Sequence, residues 1–526
     1  MATSDSSIWT ALGHKTFRRL WCASVALNLT IWMQSVAAAW LMVSLTPSPL
    51  MVALIQTATA LPSFIFALPS GVMADLLDRR RYLMAVVAAM FVTALLLCAL
   101  AAGGGLGPWT LLILTFCLGT GFALQGPAFF TTQADNVPRS VLPSALALSA
   151  LSYSSARAVG PAMAGGLISG FGVLAVFGAG ALLLAFGLVV LACWDSPKRS
   201  HNLPPENLVS GIGSALRYVR HSDMMRVQIL RTVLFVGAAS ALWALLPLLA
   251  VGGAGGYGIL LGSMGAGSVA GAVLLPKLTG RVDMNRMMNV AAIVYAAVAL
   301  AGAYLSSLPL LCIALFLSGI AWVAVGNTNM LALQSAVPGW IRARALSVYM
   351  LSFQGAMALG SAVWGYVATY AGAPQTLAVS AVMMFAVVFV MRRFPAREGE
   401  LMEVTEASEA LHASIDLPSI AGNAMISVQI IYQIDAQDRD EFLRLAYAVG
   451  KVRRRNGASV WRVYRDLGQD GCYVERFLVD SWDQYLRQRG RATIADQALE
   501  QRLWDLHRGD APPRIVHLVA EANPEQ

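Results

Sequence analysis

Charge is scarce in this chain of 526 residues: Asp, Glu, Lys and Arg make up 13%, against 57% hydrophobic residues. A soluble protein carries charge at about a quarter of its positions, so water is not the solvent for most of the sequence. The six cysteines (Cys22, Cys98, Cys117, Cys193, Cys312, Cys472) include no Cys-x-x-Cys pair, and five fall in apolar runs. That scatter excludes a zinc ligand set and a disulfide framework. No G-x-x-x-x-G-K-[ST] occurs, which excludes a P-loop and hence ATP as the direct energy source. No metal and no cofactor is expected. Inside the apolar runs there is also no Asp, Glu or His: Asp75 and Asp135 fall at run ends, and all six histidines lie in loops, tails or the C-terminal region. Carriers driven by protons commonly relay them through an intramembrane carboxylate or imidazole, and no such relay is legible here. The N-terminus, with Trp9, His14 and Lys15 ahead of the first run, has no small-residue cleavage site, so no removable signal peptide is expected.

What the chain has in quantity is length in apolar runs. Mean hydropathy is +0.62, and a helix needs about 20 apolar residues to cross the hydrocarbon. Twelve such spans are predicted: 17–44, 50–74, 82–102, 109–134, 142–168, 173–193, 227–250, 257–279, 287–305, 309–335, 343–370 and 374–391. The fold class this implies is an all-α membrane bundle, twelve transmembrane helices as two six-helix halves, followed by a C-terminal cytoplasmic ferredoxin-like α+β domain. The expected divisions are an N-terminal bundle over 1–194, a middle loop over 195–226, a second bundle over 227–393, an acidic linker over 394–424 and the last domain over 425–526.

The formal net charge is +8, and its placement sets topology. Lys and Arg gather at Arg79 to Arg81, Arg139, Lys198 to Arg231, Lys277 to Arg286, Arg342, Arg344 and Arg392-Arg393, while the alternate loops near Thr46, Gly103, Ser169, Gly252, Ser306 and Ala371 contain none. By the positive-inside rule both termini are expected in the cytoplasm of a multi-pass protein of the bacterial inner membrane. The basic residues form no continuous groove, so nucleic acid is excluded as a partner. Membrane lipid and a small-molecule substrate are expected instead.

One stretch occurs twice. Asn136 to Gly166 recurs as Ala336 to Tyr366 at an offset of 200 without a gap: Val137-Pro138 meets Val337-Pro338, Leu151-Ser152 meets Leu351-Ser352, and Ala158, Gly160, Ala162 and Gly165 meet Ala358, Gly360, Ala362 and Gly365. This predicts two similar bundles related by an axis along the membrane normal, with a path between them. Gly265, Gly267 and Gly271 lie inside a span with no strand before them, so they read as close helix packing and not as nucleotide binding.

The copies differ where the first has Arg157 and the second Met357. A charge well inside an apolar span costs at least about 2.5–3.5 kcal/mol unless paired or hydrated. Arg157 lies 14 residues past Pro143, near the midplane; Pro161 deprives its carbonyl of the usual helical donor, and Tyr153 sits one turn earlier on the same face. Two readings stand: contact with an anionic or catecholic substrate, or a structural arginine bonded to neighbouring carbonyls. Asn28, Gln34, Gln125, Asn327 and Gln354, with Trp32 and Trp364, are the other polar mid-span residues; each is a candidate substrate contact or a bond between helices.

Gly71-Val72-Met73-Ala74-Asp75-Leu76-Leu77-Asp78-Arg79-Arg80-Arg81 joins the second and third spans. It resembles the signature loop of the major facilitator superfamily, G-x-x-x-D-(R/K)-x-G-x-(R/K)-(R/K): Gly71, Asp75, Arg80 and Arg81 match, while Leu76 and Asp78 depart. With the run Arg157-Ala-Val-Gly160-Pro161-Ala-x-Ala-Gly165, the chain is similar over residues 13–394 to the enterobactin-exporter-like branch, nearest its longer members with a soluble C-terminal extension. The resemblance implies a secondary exporter of a siderophore- or drug-like molecule working by alternating access, with proton antiport as its coupling. It also implies a cytoplasmic latch in which Asp75 accepts bonds from the start of the eleventh span near Ala343 and Arg80 or Arg81 pairs with Asp135. An anion at a helix N-terminus gains about 0.3–1 kcal/mol; the alternative for these residues is charge that only sets topology.

After Arg393 the pattern changes. Glu398, Glu400, Glu403, Glu406, Glu409 and Asp416 mark the linker. Met425 to Ile434 alternates as a strand, Asp438 to Arg455 reads as an amphipathic helix with Phe442, Leu445, Val449 and Val452 inward, Ser459 to Tyr464 and Tyr473 to Val479 form a hairpin, Ser481 opens a helical region reaching His507, and Ile515 to Ala520 is a last strand. The order βαββαβ is ferredoxin-like and resembles the small dimeric α+β barrels that include antibiotic-biosynthesis monooxygenases. A homodimer through this domain is expected on that resemblance. His507, Trp461, Trp482 and Cys472 are candidates for a site there; Arg453 to Arg455 and Arg487 to Arg491 are expected to face solvent, a partner or anionic headgroups. Three functional readings follow: an exporter, an importer of the same fold, or a membrane-tethered enzyme acting through residues 425–520.

Overall fold

The computed structural model describes residues 8–138, 140–194, 217–278, 282–338, 341–395 and 424–521. Most of the middle loop and of the acidic linker lies outside these residues, as do a few helix side chains, those of Gly71, Asp75 and Ala343 among them. Two compact units divide the chain: Met1–Leu203, Ile229–Asn329 and Tyr349–Pro395 form one, and Pro204–Gln228, Met330–Val348 and Ala396–Gln526 the other.

The long helices are α1 (Lys15–Leu45), α2 (Pro49–Leu76), α3 (Arg79–Ala102), α4 (Pro108–Asp135), α5 (Leu142–Phe171), α6 (Val173–Ala192), α7 (Asp223–Leu245), α8 (Gly253–Leu278), α9 (Met284–Tyr304), α10 (Leu308–Ala336), α11 (Arg342–Ala371) and α12 (Ala373–Arg393). Among the described residues, eleven helices are long and apolar enough to cross a membrane. The exception is α5, which is long enough but dilutes its hydropathy with Arg157 and a series of serines and glycines.

The repeat read from sequence has a backbone counterpart. Val141 N–H donates to Pro138 O at 2.9 Å and Ile341 N–H to Pro338 O at 3.2 Å, so the same Pro turn leads into α5 and into α11. Those helices end alike: Gly172 (φ 80°) and Gly372 (φ 81°) stand 200 residues apart in the left-handed region that glycine enters without cost. Starts are matched as well. Asp78 caps α3 by accepting from Arg81 N–H at 2.8 Å, and Asp283 caps α9 by accepting from Arg286 N–H at 3.0 Å. Asp78 makes its turn at φ −59°, so the glycine of the signature pattern is not needed there.

Small residues let helices of the two halves touch backbone to backbone. A Cβ on Gly165 would lie 2.6 Å from Gly258 Cα, and one on Gly265 only 2.3 Å from Ala158 Cα, along the seam of α5 and α8. Within the second half a Cβ on Gly267 would likewise meet Phe316 O of α10 at 1.9 Å. On the other side of the bundle a Cβ on Gly365 of α11 would stand 2.4 Å from Ala53 Cβ of α2, and Thr57 Oγ1 donates to Ala358 O at 2.9 Å. Such contacts are the means by which helices associate in a solvent as apolar as their side chains.

The second unit contains a sheet of β1 (Ile426–Gln433), β2 (Val460–Arg465), β3 (Cys472–Val479) and β4 (Arg514–Val519) in the order β2-β3-β1-β4, every pairing antiparallel. Helix α13 (Arg439–Asn456) connects β1 to β2, while α14 (Trp482–Gly490) and α15 (Ile494–Trp504) connect β3 to β4. The region expected as one helix is therefore two, because Thr493 opens a new one: its hydroxyl accepts from Asp496 N–H while Asp496 accepts from Thr493 N–H. Ile426, Val428, Ile430 and Tyr432 of β1 meet Phe442 of α13 and Phe477 of β3 in the core.

Candidate functional site

Arg157 leaves α5 at the middle of the bundle, half-buried, and no hydrogen-bond acceptor or carboxylate among the described residues pairs with it. Three indole rings surround it instead. Its guanidinium carbon is 5.6 Å from the ring centroid of Trp32 (α1), 5.2 Å from that of Trp243 (α7) and 5.6 Å from that of Trp322 (α10). The rings touch one another, Trp32 to Trp243 at 6.4 Å and Trp243 to Trp322 at 5.5 Å. Each cation–π contact out of water is worth about 0.5–2 kcal/mol; three together are on the order of the cost of holding the charge there. The carbonyl that Pro161 leaves free is covered by α8, since a Cβ on Gly265 would sit 3.0 Å from Arg157 O.

This cage borders a cavity of about 150 Å³, lined also by Gln56, Tyr153, Phe353 and Gln354. Tyr153 stands edge-on to Trp32 at 6.1 Å and is 41% exposed. Trp32 Nε1 is buried with no hydrogen-bond partner. A fixed cation and an unpaired N–H donor beside one cavity suit a ligand with acceptor atoms and negative charge. The structural-arginine reading required bonds to neighbouring carbonyls, and the aromatic cage takes their place.

The other candidates separate. Asn28 and Gln125 line an adjoining chamber, described below. Gln34 is buried against α6, where a Cβ on Gly180 would meet its Nε2 at 2.5 Å, and lines neither space. Asn327 is exposed and lines neither; the buried amide two positions on is Asn329, whose Nδ2 donates to Thr232 Oγ1 at 3.4 Å. The helix phase of α10 decides between them. Trp364 is a strut, its Nε1 donating to Gly237 O at 2.7 Å. Trp243, Trp322 and Gln56 were missed, because an apolar or amide side chain in a long helix carries no signal of which face it will occupy.

At the α2–α3 loop the ion pair seen among the described residues joins Asp135 to Arg79, at 2.5 Å, where Arg80 or Arg81 was expected. With Asp78 as the cap, Arg79 is the first helical residue and reaches α4, while Arg80 donates to the Ala192 carbonyl at the end of α6. Arg81 contributes its backbone N–H to the cap. These ties lie within the first half. The proposed bond of Asp75 to the start of α11 falls on side chains outside the described residues. The second half has a matching anchor: Arg231, 1% exposed, donates to Asn285 Oδ1 at 2.7 Å and to Phe394 O, after the end of α12, at 3.1 Å.

In the C-terminal unit Arg453 is buried, contrary to the solvent-facing expectation. Its Nε meets Glu475 Oε1 at 3.4 Å and its Nη2 meets Glu500 Oε1 at 2.5 Å; Arg489 reaches Glu500 at 3.3 Å, and Arg455 pairs with Asp496. Glu475, fully buried, also accepts from Trp461 Nε1 at 2.8 Å and Tyr432 O–H at 3.0 Å. Arg454 lies over the Trp461 ring at 5.5 Å. Burial works against the charge on Arg453, but Glu500 and Glu475 outweigh it and hold its pKa above the ordinary value. Burial likewise raises the Glu500 carboxyl, and Arg453 with Arg489 more than reverses this, leaving it below the usual range. His507, Trp461, Trp482 and Cys472 do not converge. His507 Nδ1 accepts from Gln433 N–H at 2.9 Å, Trp461 serves Glu475, and Trp482 packs tilted against Tyr485 and edge-on to His517.

With this geometry in place, comparison with known proteins is informative. The family described as transmembrane secretion effector matches residues 6–525. The chain belongs to that family, within the major facilitator superfamily. It is 25% identical over 413 residues to the multidrug efflux pump Tap of Mycobacterium bovis (strain BCG / Pasteur 1173P2), covering 73% of this chain and 92% of that one. The protein of that name from Mycobacterium tuberculosis (strain ATCC 25618 / H37Rv) matches to the same extent. Among solved structures, the nucleoside transporter NupG superposes with a TM-score of 0.59 at 12% identity, covering 72% of this chain and 98% of that one. A bacterial homologue of the human lysosomal transporter Spinster, inward-facing and occupied, gives a TM-score of 0.58 at 14% identity, with 73% and 97% covered. At these identities the structures speak for the fold alone.

Proposed function

We propose that this protein is a secondary exporter of the bacterial cytoplasmic membrane, moving a small anionic, aromatic-bearing molecule of drug- or siderophore-like character by alternating access of its two halves. All twelve long helices then span the bilayer, with both termini in the cytoplasm as the distribution of Lys and Arg requires. The observation that carries the reading is the Arg157 cage: a cation with no counter-charge among the described residues, held between helices of both halves beside a cavity. The relatives named as efflux pumps support export over import. Backbone-close seams at Gly165–Gly258 and Gly365–Ala53 lie toward the loops that lack basic residues, which supports an inward-facing arrangement.

The C-terminal unit is, on this proposal, a cytoplasmic ferredoxin-like accessory that pairs two carriers and performs no chemistry, its Glu475, Glu500 and Asp496 being engaged in ion pairs. The test is accumulation in inside-out vesicles, with a panel of aromatic carboxylates, catechols and cationic drugs, with and without a collapsed proton gradient. Gradient-dependent uptake of anionic members, lost in Arg157→Gln at equal abundance, is the expected result. Full transport by that variant would sink the substrate-contact reading. Truncation after Arg393 should leave transport measurable; its abolition, with the bundle intact, would make the accessory role untenable.

A further inference from the structure

A second chamber, of about 310 Å³, lies between α1, α4 and α5. Phe122 and Tyr153 line both it and the central cavity, so their rings form the boundary of the two spaces. Helical phase fixes its position. Asn28 is one turn before Trp32 on α1, and Tyr153 and Ser149 are one and two turns before Arg157 on α5, so the chamber runs about 6–12 Å from the cage toward the ends that bear the termini.

Among the described residues, no Asp, Glu, Lys, Arg or His lines this chamber. Its polar groups differ in whether they are already used. Gln133 accepts from Ser149 Oγ at 2.5 Å and donates to Leu20 O at 3.5 Å, so its amide is occupied. Asn28 Nδ2 donates to Ser152 Oγ at 3.1 Å, while nothing among the described residues donates to its Oδ1. Gln125 is 4% exposed and its Oε1 is buried with no hydrogen-bond partner among the described residues. A buried amide left unpaired keeps its full desolvation penalty, and a ligand that bonds it removes that penalty. The size is that of a small-molecule site.

We infer that this chamber is a second subsite, taking the uncharged part of the transported molecule: an amide or hydroxyl that bonds Gln125 and Asn28, flanked by apolar surface that rests on Phe129 and Phe130. The inference rests on the Arg157 reading for the anionic end of the same molecule. The substrate class becomes bipartite, an acid whose neutral hydrogen-bonding body extends one to two helical turns from its charge.

Four naphthyl probes of equal length separate the two readings: naphthoyl-glycylglycine, the naphthyl alkanoate without amides, and the methyl ester of each. Binding to the full-length protein in lipid nanodiscs is followed by naphthyl anisotropy. The wild type should bind the amide-bearing acid about tenfold more tightly than the alkyl acid, as one to two hydrogen bonds allow. Gln125→Leu should bring that ratio to about one while the affinity for the alkyl acid stays within twofold. Gln125→Asn, which keeps the amide but withdraws it, should give an intermediate ratio and serves if the leucine variant does not fold. Equal binding of the amide and alkyl members by the wild type, or a ratio untouched by either substitution, overturns the subsite. If esters bind as well as acids and Arg157→Gln changes nothing, the anionic reading fails by itself, because the amide preference is still read from the ester pair.

Discussion

The guanidinium carbon of Arg157 stands 5.2 Å from the centre of the Trp243 ring, joining a helix of the first half to a helix of the second. The charge is thus a tie between the two six-helix halves, which the proposed alternating-access cycle must separate. On that proposal this contact is among those remade when the halves rock apart on one side, and a ligand that occupies the cation instead of the indole would bias the exchange.

Replacing Trp243 with leucine should therefore do two things. It removes one of three cation–π contacts, lowering stability by about 0.5–2 kcal/mol, seen as a lower midpoint in thermal unfolding of the purified protein. It also frees the guanidinium, so ligand affinity should rise or hold while transport slows. Arg157→Lys should keep the charge but not the planar stacking, and an unchanged midpoint in both variants would show that the cage contributes nothing.

Adjacent glycines make a sharp contrast. Gly165 faces Gly258, whose Cα would lie 2.6 Å from an added Cβ, whereas Gly166 meets nothing within 4 Å. Gly165→Val should destabilise by about 1–3 kcal/mol or more through overpacking and abolish transport, while Gly166→Val should be tolerated. Expression, thermal midpoint and vesicle uptake measured side by side would decide it; equal tolerance would mean that the seam can open freely.

Breaking the buried pair in the C-terminal unit should be costly. Glu500→Gln leaves Arg453, 6% exposed, with Glu475 as its remaining acidic partner, and loss of one partner from a buried pair costs about 3–5 kcal/mol. The carboxyl of Glu500 is held below its ordinary value in the fold, against the push of burial, by Arg453 and Arg489. Its stabilisation is fully present above the usual carboxylate range and is lost as pH falls through the lower folded value. Amide protection factors in β1 and β3, each referred to the intrinsic exchange rate at the same pH, should fall below that range in the wild type as pH is lowered from 6, and the fall should be smaller in the variant.

His517 adds a milder dependence. Burial, and then the charge of Arg489, hold its imidazole below the ordinary value, and its Nε2 lies 3.0 Å from Tyr485 O–H. The fold therefore favours the neutral ring, so stability is highest above the unfolded pKa near 6.5 and declines as pH falls below it toward the folded value. His517→Phe, which can still meet Trp482 edge-on, should flatten the pH dependence of amide protection factors in β4 between pH 7 and 5.5; an unchanged slope would assign the dependence to another group.

Much of this protein was legible before any coordinates. Span positions follow from the thermodynamics of apolar length, which is local and additive, and the strand and helix order of the C-terminal unit follows from periodicity. Arg157 was legible because a charge in an apolar run is an anomaly that only a partner or a ligand can sustain. The spacing of Gly265, Gly267 and Gly271 also marked close helix packing, since a missing Cβ has meaning only where backbones approach, but the partners of the glycine seams came from the structure.

What the tertiary structure decided is who meets whom. Nothing in the spacing of Trp32, Trp243 and Trp322 announces that three helices far apart in sequence will close on one cation, because indoles are apolar enough to belong on any helix face. The choice of Asn329 over Asn327, of Arg79 over Arg80 and of a buried over an exposed Arg453 turns on helix phase and on partners supplied from elsewhere in the chain. A sequence fixes what each residue can exchange with its surroundings; packing alone fixes the surroundings.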